Sequence, residues 1–314
     1  MNYLQPTKNS YIFAARMTKN LTKRLLFQIT FLLLILQGML TLNSCGKPEI
    51  IPSYIHIDSV ALNTNPGQDG SNSHDIPDAW VYVDNQLVGA FELPATIPVP
   101  YSGSHTLQVL AGVKENGSTA ERHPYPFYNT WSANLNLVKG TKTKVKPVTS
   151  YISYSHPFDW REDFELPGIS FTDNIGTDTT LIQDTLKPFE GHASGSAYLD
   201  GKPGKVAGST HSHFQCQSSV QFARPASGTE VYLELNYRCN TKFVMGLVNP
   251  SNSQFLQYIA FNPADFWKKM YIRLTDQMTG LPLGGNYLIY FAMDRDPLLG
   301  GTAEMHIDNI KLIH

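Results

Sequence analysis

The sequence predicts an all-β protein, two β-sandwich domains following an N-terminal signal helix, on three observations. Beyond residue 45 no stretch sustains an apolar period of about 3.6. Short runs of alternating apolar and polar residues recur instead, broken by Gly, Pro, Asn and Asp, the pattern of strands and turns. The 314 residues include 23 Gly, 20 Pro, 16 Phe and 16 Tyr, which suits turn-rich sheets. At about 150 residues per domain, the length allows two domains. With 42% hydrophobic and 16% charged residues the chain is too apolar for disorder, and three Cys are too few for a disulfide-built scaffold. A formal charge of −2 excludes nucleic acid as the expected partner.

The N-terminus reads as an address. Residues 1–44 carry Lys8, Arg16, Lys19, Lys23 and Arg24 and no acidic residue, and an apolar run from Leu25 to Leu42 follows the last of them. Basic then apolar is the order of an export signal; Met17 is an alternative start that leaves a signal of ordinary length. The run ends in Leu42-Asn43-Ser44-Cys45-Gly46, which resembles the lipobox of bacterial lipoproteins, with Asn43 the less usual residue. The resemblance implies cleavage before Cys45, a diacylglyceryl thioether on its sulfur, and an exported protein held at a membrane, with the outer membrane the expected one. An uncleaved membrane anchor and a soluble secreted protein remain the alternatives. Residues 45–53 then form the acylated Cys and a tether. Without residues 1–44 the chain keeps 19 basic against 26 acidic residues, a formal −7, so acyl chains rather than basic patches must hold it at the membrane.

The first domain is expected over 54–150. Ala79–Asp84 and Gln86–Phe91 read as a hairpin turning at Asp84-Asn85, Ser104–Leu110 and Trp131–Val138 as further strands, and Lys142, Lys144 and Lys146 as the charged outward positions of an edge strand. Asp84, Leu87-Val88-Gly89, Leu93-Pro94 and Gly103–Leu107 together resemble PEGA-like and Ig-like modules, which implies a structural or binding unit. Residues 151–160 are expected as a linker and 161–314 as the second domain. There Asp163-Phe164-Glu165, Gly191-His192-Ala193-Ser194-Gly195 and Ile307-Asp308-Asn309-Ile310 occur in the order seen in β-jelly-roll modules of carbohydrate-binding and adhesion proteins. In Val231–Arg238, Leu233 and Leu235 should face the core, with Tyr232, Glu234, Asn236 and Arg238 on the other face.

Candidate site residues follow. The jelly-roll resemblance implies a structural Ca²⁺ with Glu165 and Asp308 as ligands, against the simpler reading that both end paired strands. Cys216 and Cys239 fall opposite each other if their strands pair as a hairpin near residues 226–227, and strands in opposite sheets would still allow an inter-sheet bridge, which makes a disulfide and two separate buried thiols the competing expectations. Tyr125, Phe127, Tyr128, Trp160 and Trp267 are candidates for stacking on sugar rings, with core packing the alternative for each. His192, His211, His213 and His306 read as polar strand positions rather than a metal set. No nucleophile elbow, zinc-protease, phosphate-loop or dinucleotide motif occurs. The expected function is a non-catalytic binding or structural module of the cell envelope, binding a glycan through the jelly roll or an envelope protein. A glycoside hydrolase or lyase and an accessory subunit of an outer-membrane complex stay open.

Overall fold

Asp84 and Asn85 both take positive φ, 50° and 65°, the two-residue turn whose twist matches its flanking strands. Around it β3 (Asp78–Val83) and β4 (Gln86–Glu92) pair antiparallel with Val83 opposite Gln86, as the alternation predicts. The structure is a computed structural model, and it describes residues 23–35, 37, 51–152, 158–202, 210–296, 298 and 300–314. Its contacts divide the chain into Met1–Ile51 and Pro52–His314. In the first unit residues 23–35 are helical, with Leu25, Leu26, Phe27 and Leu32 exposed. Among the described residues no helix is long and apolar enough to cross a membrane. Cys45 and the residues around it lie outside the described residues.

The second unit has two main cores. β6 (Gly103–Lys114) lies on the other side of β3, and β7 (Arg122–Pro124) and β8 (Trp131–Leu137) complete a five-stranded sheet. Facing it are β5 (Ala95–Val99), β1 (Ser53–Ile57) and β9 (Lys142–Val145), and a short pair, β2 (Ala61–Leu62) with β10 (Val148–Thr149). Ile55, Ile57, Val81, Val83, Ile97, Val99, Leu107 and Val109 fill the space between. β9 is an edge strand, and Lys142 and Lys144 are exposed along it. β1 begins at Ser53, within the segment read as tether.

The later strands form a jelly-roll-type sandwich of two six-stranded sheets. The first sheet runs β13 (Ile182–Asp184), β14 (Ser194–Leu199), β22 (Ala303–Ile313), β17 (Tyr232–Cys239), β20 (Ala264–Arg273), with β11 (Trp160–Glu162) also on β22. The second runs β12 (Phe171–Asp173), β15 (His213–Ser218), β21 (Asn286–Asp294), β18 (Phe243–Asn249), β19 (Gln254–Phe261), with β16 (Phe222–Ala223) also on β21. Val231, Leu233, Leu235 and Tyr237 point into the core between them, as their alternation predicts.

Two expectations change. Asp163-Phe164-Glu165 is not a strand: β11 ends at Glu162, and Phe164 turns with φ 57°. The turn drives the Phe164 ring into the core beneath Gly195, where an added Cβ would lie 2.4 Å from the ring. The Glu162 carboxylate holds the turn by accepting from the Phe164 amide at 2.9 Å and the Ser170 amide at 2.7 Å. The second change concerns β17. Tyr232, Glu234 and Asn236, on its other face, are buried too, because residues of the first sandwich pack there.

Candidate functional site

The residues packed on that face explain a buried polar seam. Glu234, with no exposed surface, accepts hydrogen bonds from the Tyr125 hydroxyl at 2.7 Å and the Tyr151 hydroxyl at 2.8 Å, and Lys269 Nζ lies 3.0 Å from it. Lys311 Nζ donates to the Ser71 carbonyl at 2.7 Å and to Tyr151 at 3.2 Å, and sits 4.7 Å from the centre of the Tyr151 ring. Burial alone would raise the pKa of Glu234, but Lys269 and Lys311 outweigh it and hold the carboxyl below its ordinary range. Burial pulls Lys311 down to about 7, against the attraction of Glu234. Charges this deep need such pairing, since an unpaired one costs several kcal/mol, about 3–5 when a partner is removed.

At one end the seam opens into a cleft of about 620 Å³, within the size range of ligand sites. One wall comes from the first sandwich, through Ser73, His74, Asp75, Lys114 and Asn116. The floor and the other wall come from β17, β19 and β20, through Asn236, Asn262, Phe266, Trp267, Lys268 and Lys269. Asn236 stands opposite Lys269 in the sheet, and its Oδ1 accepts from Ser73 at 3.0 Å, fixing the wall to the floor. Between Tyr237 and Cys239 the β17–β20 register shifts, because β20 carries extra residues there, and Phe266 and Trp267 lie in that bulge. Bulges re-aim side chains in this way, often beside functional sites. Phe266 is 67% exposed, with Lys268 Nζ 5.2 Å from its ring centre. Trp267 is half-buried and braced edge-on by Phe189, with ring centres 5.5 Å apart.

Trp267 is thus the one aromatic candidate that reaches a cleft. Tyr125, Phe127 and Tyr128 are buried in the core of the first sandwich, where they pack edge-on among Tyr232, Tyr271 and Tyr151, so their faces meet no solvent. Trp160 is buried in the jelly-roll core against Phe171, its indole N–H donating to Ser170 Oγ at 2.8 Å. These four are core residues. Sequence reasoning missed Asn236 and Lys269, since both sit on a strand face that alternation assigns to solvent. It also missed Phe266, whose placement depends on a bulge that only pairing reveals, and Phe189, which meets Trp267 from the loop before β14.

The other expectations land elsewhere. Cys216 and Cys239 are separate, buried thiols: β15 pairs with β21 and β17 with β20 and β22, so the hairpin that would join them does not form. Glu165 caps the turn after Glu190, accepting from the His192 amide at 2.9 Å and the Ala193 amide at 3.3 Å. Gly191 has φ 65°, and an added Cβ would fall 2.2 Å from the Glu165 carboxylate, so this turn requires glycine. Asp308 is buried with Oδ2 lacking a hydrogen-bond partner, and burial pushes its carboxyl up to about 8. His211 pairs with Asp200 at 3.0 Å and His213 with Asp294 at 2.7 Å, whereas His306 is buried rather than exposed. Among the described residues no three His, Cys, Asp or Glu side chains converge on one point. His306 Nδ1 lies 2.7 Å from Ser196 Oγ and its Nε2 3.3 Å from Glu304, an order that resembles a hydrolytic triad. Ser196 has no exposed surface, so its hydroxyl is a structural link between β14 and β22.

A scan against protein-family models finds no match, and neither does a search of curated proteins. Among solved structures the chain is similar to a xylan-binding domain of carbohydrate-binding module family 22, at 12% identity over 51% of this chain and 96% of that one, with a TM-score of 0.34. A variant of a family 29 carbohydrate-binding module matches at 12% identity over 49% and 90%, with a TM-score of 0.31. A structure described as the basis for promiscuous specificity of carbohydrate-binding modules from the β-sandwich superfamily matches at 11% identity over 76% and 85%, with a TM-score of 0.36. At these identities no residue role passes from those proteins to this chain.

Proposed function

We propose that this protein is a non-catalytic glycan-binding lipoprotein of the cell envelope, anchored through acylated Cys45 and binding saccharide in the cleft at Trp267. The observation that carries the binding reading is the cleft itself: a half-buried indole and an exposed Phe266 ring stand beside the side-chain amides of Asn236 and Asn262. An aromatic face suits the apolar C–H side of a pyranose ring, and amides suit its hydroxyls, as donor and acceptor at once. The anchor reading rests on the lipobox-like Leu42–Gly46 and on physics, since each acyl CH₂ buried contributes about 0.8 kcal/mol and more than one chain makes attachment durable.

A structural Ca²⁺ belongs to the same reading. What supports it is that Asp308 Oδ2 is buried with no close hydrogen-bond partner, the kind of oxygen a Ca²⁺ ion satisfies, with the Phe189, Glu190 and Asn309 amides facing the same carboxyl. Glu190 bears on Asp308 electrostatically, while Glu165 is engaged by the turn amides. The ion would therefore be held by Asp308, with Glu190 and carbonyl oxygens completing its shell.

Trp267→Ala in the full chain tests the glycan reading. It should weaken binding on a glycan array and in titration calorimetry by about tenfold or more, the loss of one stacked ring, with an unchanged melting temperature. Wild-type protein that binds no glycan, or a variant that binds as well as wild type, refutes the proposal. Mass spectrometry of the mature N-terminus checks Cys45, and an unmodified Cys45 within an intact leader refutes the anchor.

A further inference from the structure

The charges around the cleft run against the rest of the chain. Past residue 44 acidic residues outnumber basic ones, 26 to 19. The cleft is lined instead by Lys114, Lys268, Lys269 and His74, with Asp75 the one acidic residue among the described residues that line it. These lysines differ in kind. Lys268 is exposed at the rim beside Phe266 and Trp267, and Lys114 is half-buried on the facing wall. Lys269 is on the floor, its side chain 2% exposed and its ammonium 3.0 Å from the Glu234 carboxylate that neutralises it. With Lys269 held by Glu234, the positive charge that faces this open, aromatic-lined space is that of Lys114 and Lys268, and ammonium donors bind charged oxygen more strongly than neutral oxygen.

We infer that the ligand of this cleft is an acidic glycan, a uronate-bearing saccharide whose carboxylate meets Lys114 and Lys268 while Trp267 stacks on a sugar ring. This rests on the glycan reading of the same cleft and adds the charge of the ligand. Lysine serves here as a point charge on a flexible stem, tolerant of where along the chain the carboxylate falls.

Titration calorimetry of the full mature chain in detergent micelles tests it, with matched pairs: oligogalacturonate, oligomannuronate and glucuronate-substituted xylo-oligosaccharide, each against its carboxyl-reduced neutral form. At least one acidic member should bind about tenfold more tightly than its neutral partner at roughly 50 mM salt, and the gap should close at roughly 500 mM, where screening is short-ranged. K114Q/K268Q should remove the gap and leave the melting temperature unchanged, while K139Q, an exposed lysine of the first sandwich, should preserve it. Equal affinity within every pair, or tighter binding of the neutral members, overturns the acidic ligand and leaves the glycan reading standing. Binding of neither member of any pair overturns the acidic ligand; the glycan reading falls with it if a broad array is also silent.

Discussion

Replacing Glu234 by Gln is the sharpest test of the buried seam. The side chain has no exposed surface and serves three partners, the hydroxyls of Tyr125 and Tyr151 and the ammonium of Lys269, with Lys311 linked to it through Tyr151. Glutamine keeps the volume and one acceptor oxygen. It turns the second oxygen into a donor that meets a hydroxyl or an ammonium, and it leaves Lys269 without the carboxylate that neutralises it. Stranding a buried charge costs about 3–5 kcal/mol, a large part of the stability of an ordinary domain. Urea unfolding of the full chain at pH 6, where Lys311 is protonated, should show the unfolding free energy falling by that amount, read as a lower midpoint at an unchanged slope. Glu234→Leu with Lys269→Met should recover the part of the loss that comes from Lys269, while Lys311 and the Tyr125 and Tyr151 hydroxyls still lack the carboxylate. A loss under about 1 kcal/mol for Glu234→Gln would mean that the seam is hydrated and would refute the argument.

Lys311 carries a pH signature. Its pKa in the folded chain, about 7, lies below the ordinary 10.5, so between these values the unfolded chain binds more protons and stability rises with pH. A melting scan should show that rise in wild type and its absence in Lys311→Met; parallel curves would refute the shift. Ca²⁺ should raise the melting temperature of metal-stripped protein and leave Asp308→Asn unmoved, as thermal scans with and without EDTA would show. Identical scans for wild type under both conditions end the calcium reading.

The legible part of this fold is what alternation encodes locally. Leu233 and Leu235 face the core because parity on a strand is local, and the Asp84-Asn85 turn follows from two residues that tolerate positive φ. What alternation cannot encode is a second body lying on the other face. Glu234 in mid-strand reads as a solvated position; it is buried because Lys269 on β20 and the tyrosines of the first sandwich meet it there. The aromatic run Tyr125–Tyr128 shows the same limit. Its composition suits a sugar platform and a hydrophobic seam equally, and what decides between them is the face of β17 and β20 that it covers. Cys216 and Cys239 stand as separate thiols, and the hairpin that would set them opposite each other is absent because β15 and β17 belong to opposite sheets.

The cleft exists only because the two sandwiches are joined. Glu234 stands opposite Tyr271 and Asn236 opposite Lys269 in alternate β17–β20 pairs, on one face of the sheet, so the polar row that packs on the first sandwich continues into the cleft floor. The Asn116 amide donates to the Tyr271 carbonyl at 2.8 Å, and Asn116 Oδ1 accepts from the Arg273 amide at 3.2 Å. The wall bearing Lys114 is therefore tied to the strand bearing Trp267 by backbone geometry as well as by packing. Such a link limits how far the wall can shift against the floor, and preorganised walls spare a ligand the cost of ordering them. The jelly roll alone would keep Trp267 but lose Lys114, Ser73 and Asn116, and would open Glu234, Lys269 and Lys311 to water. On the proposed reading, binding and stability draw on one row of side chains, which is why a substitution that loosens the seam should weaken ligand affinity even where it touches no ligand.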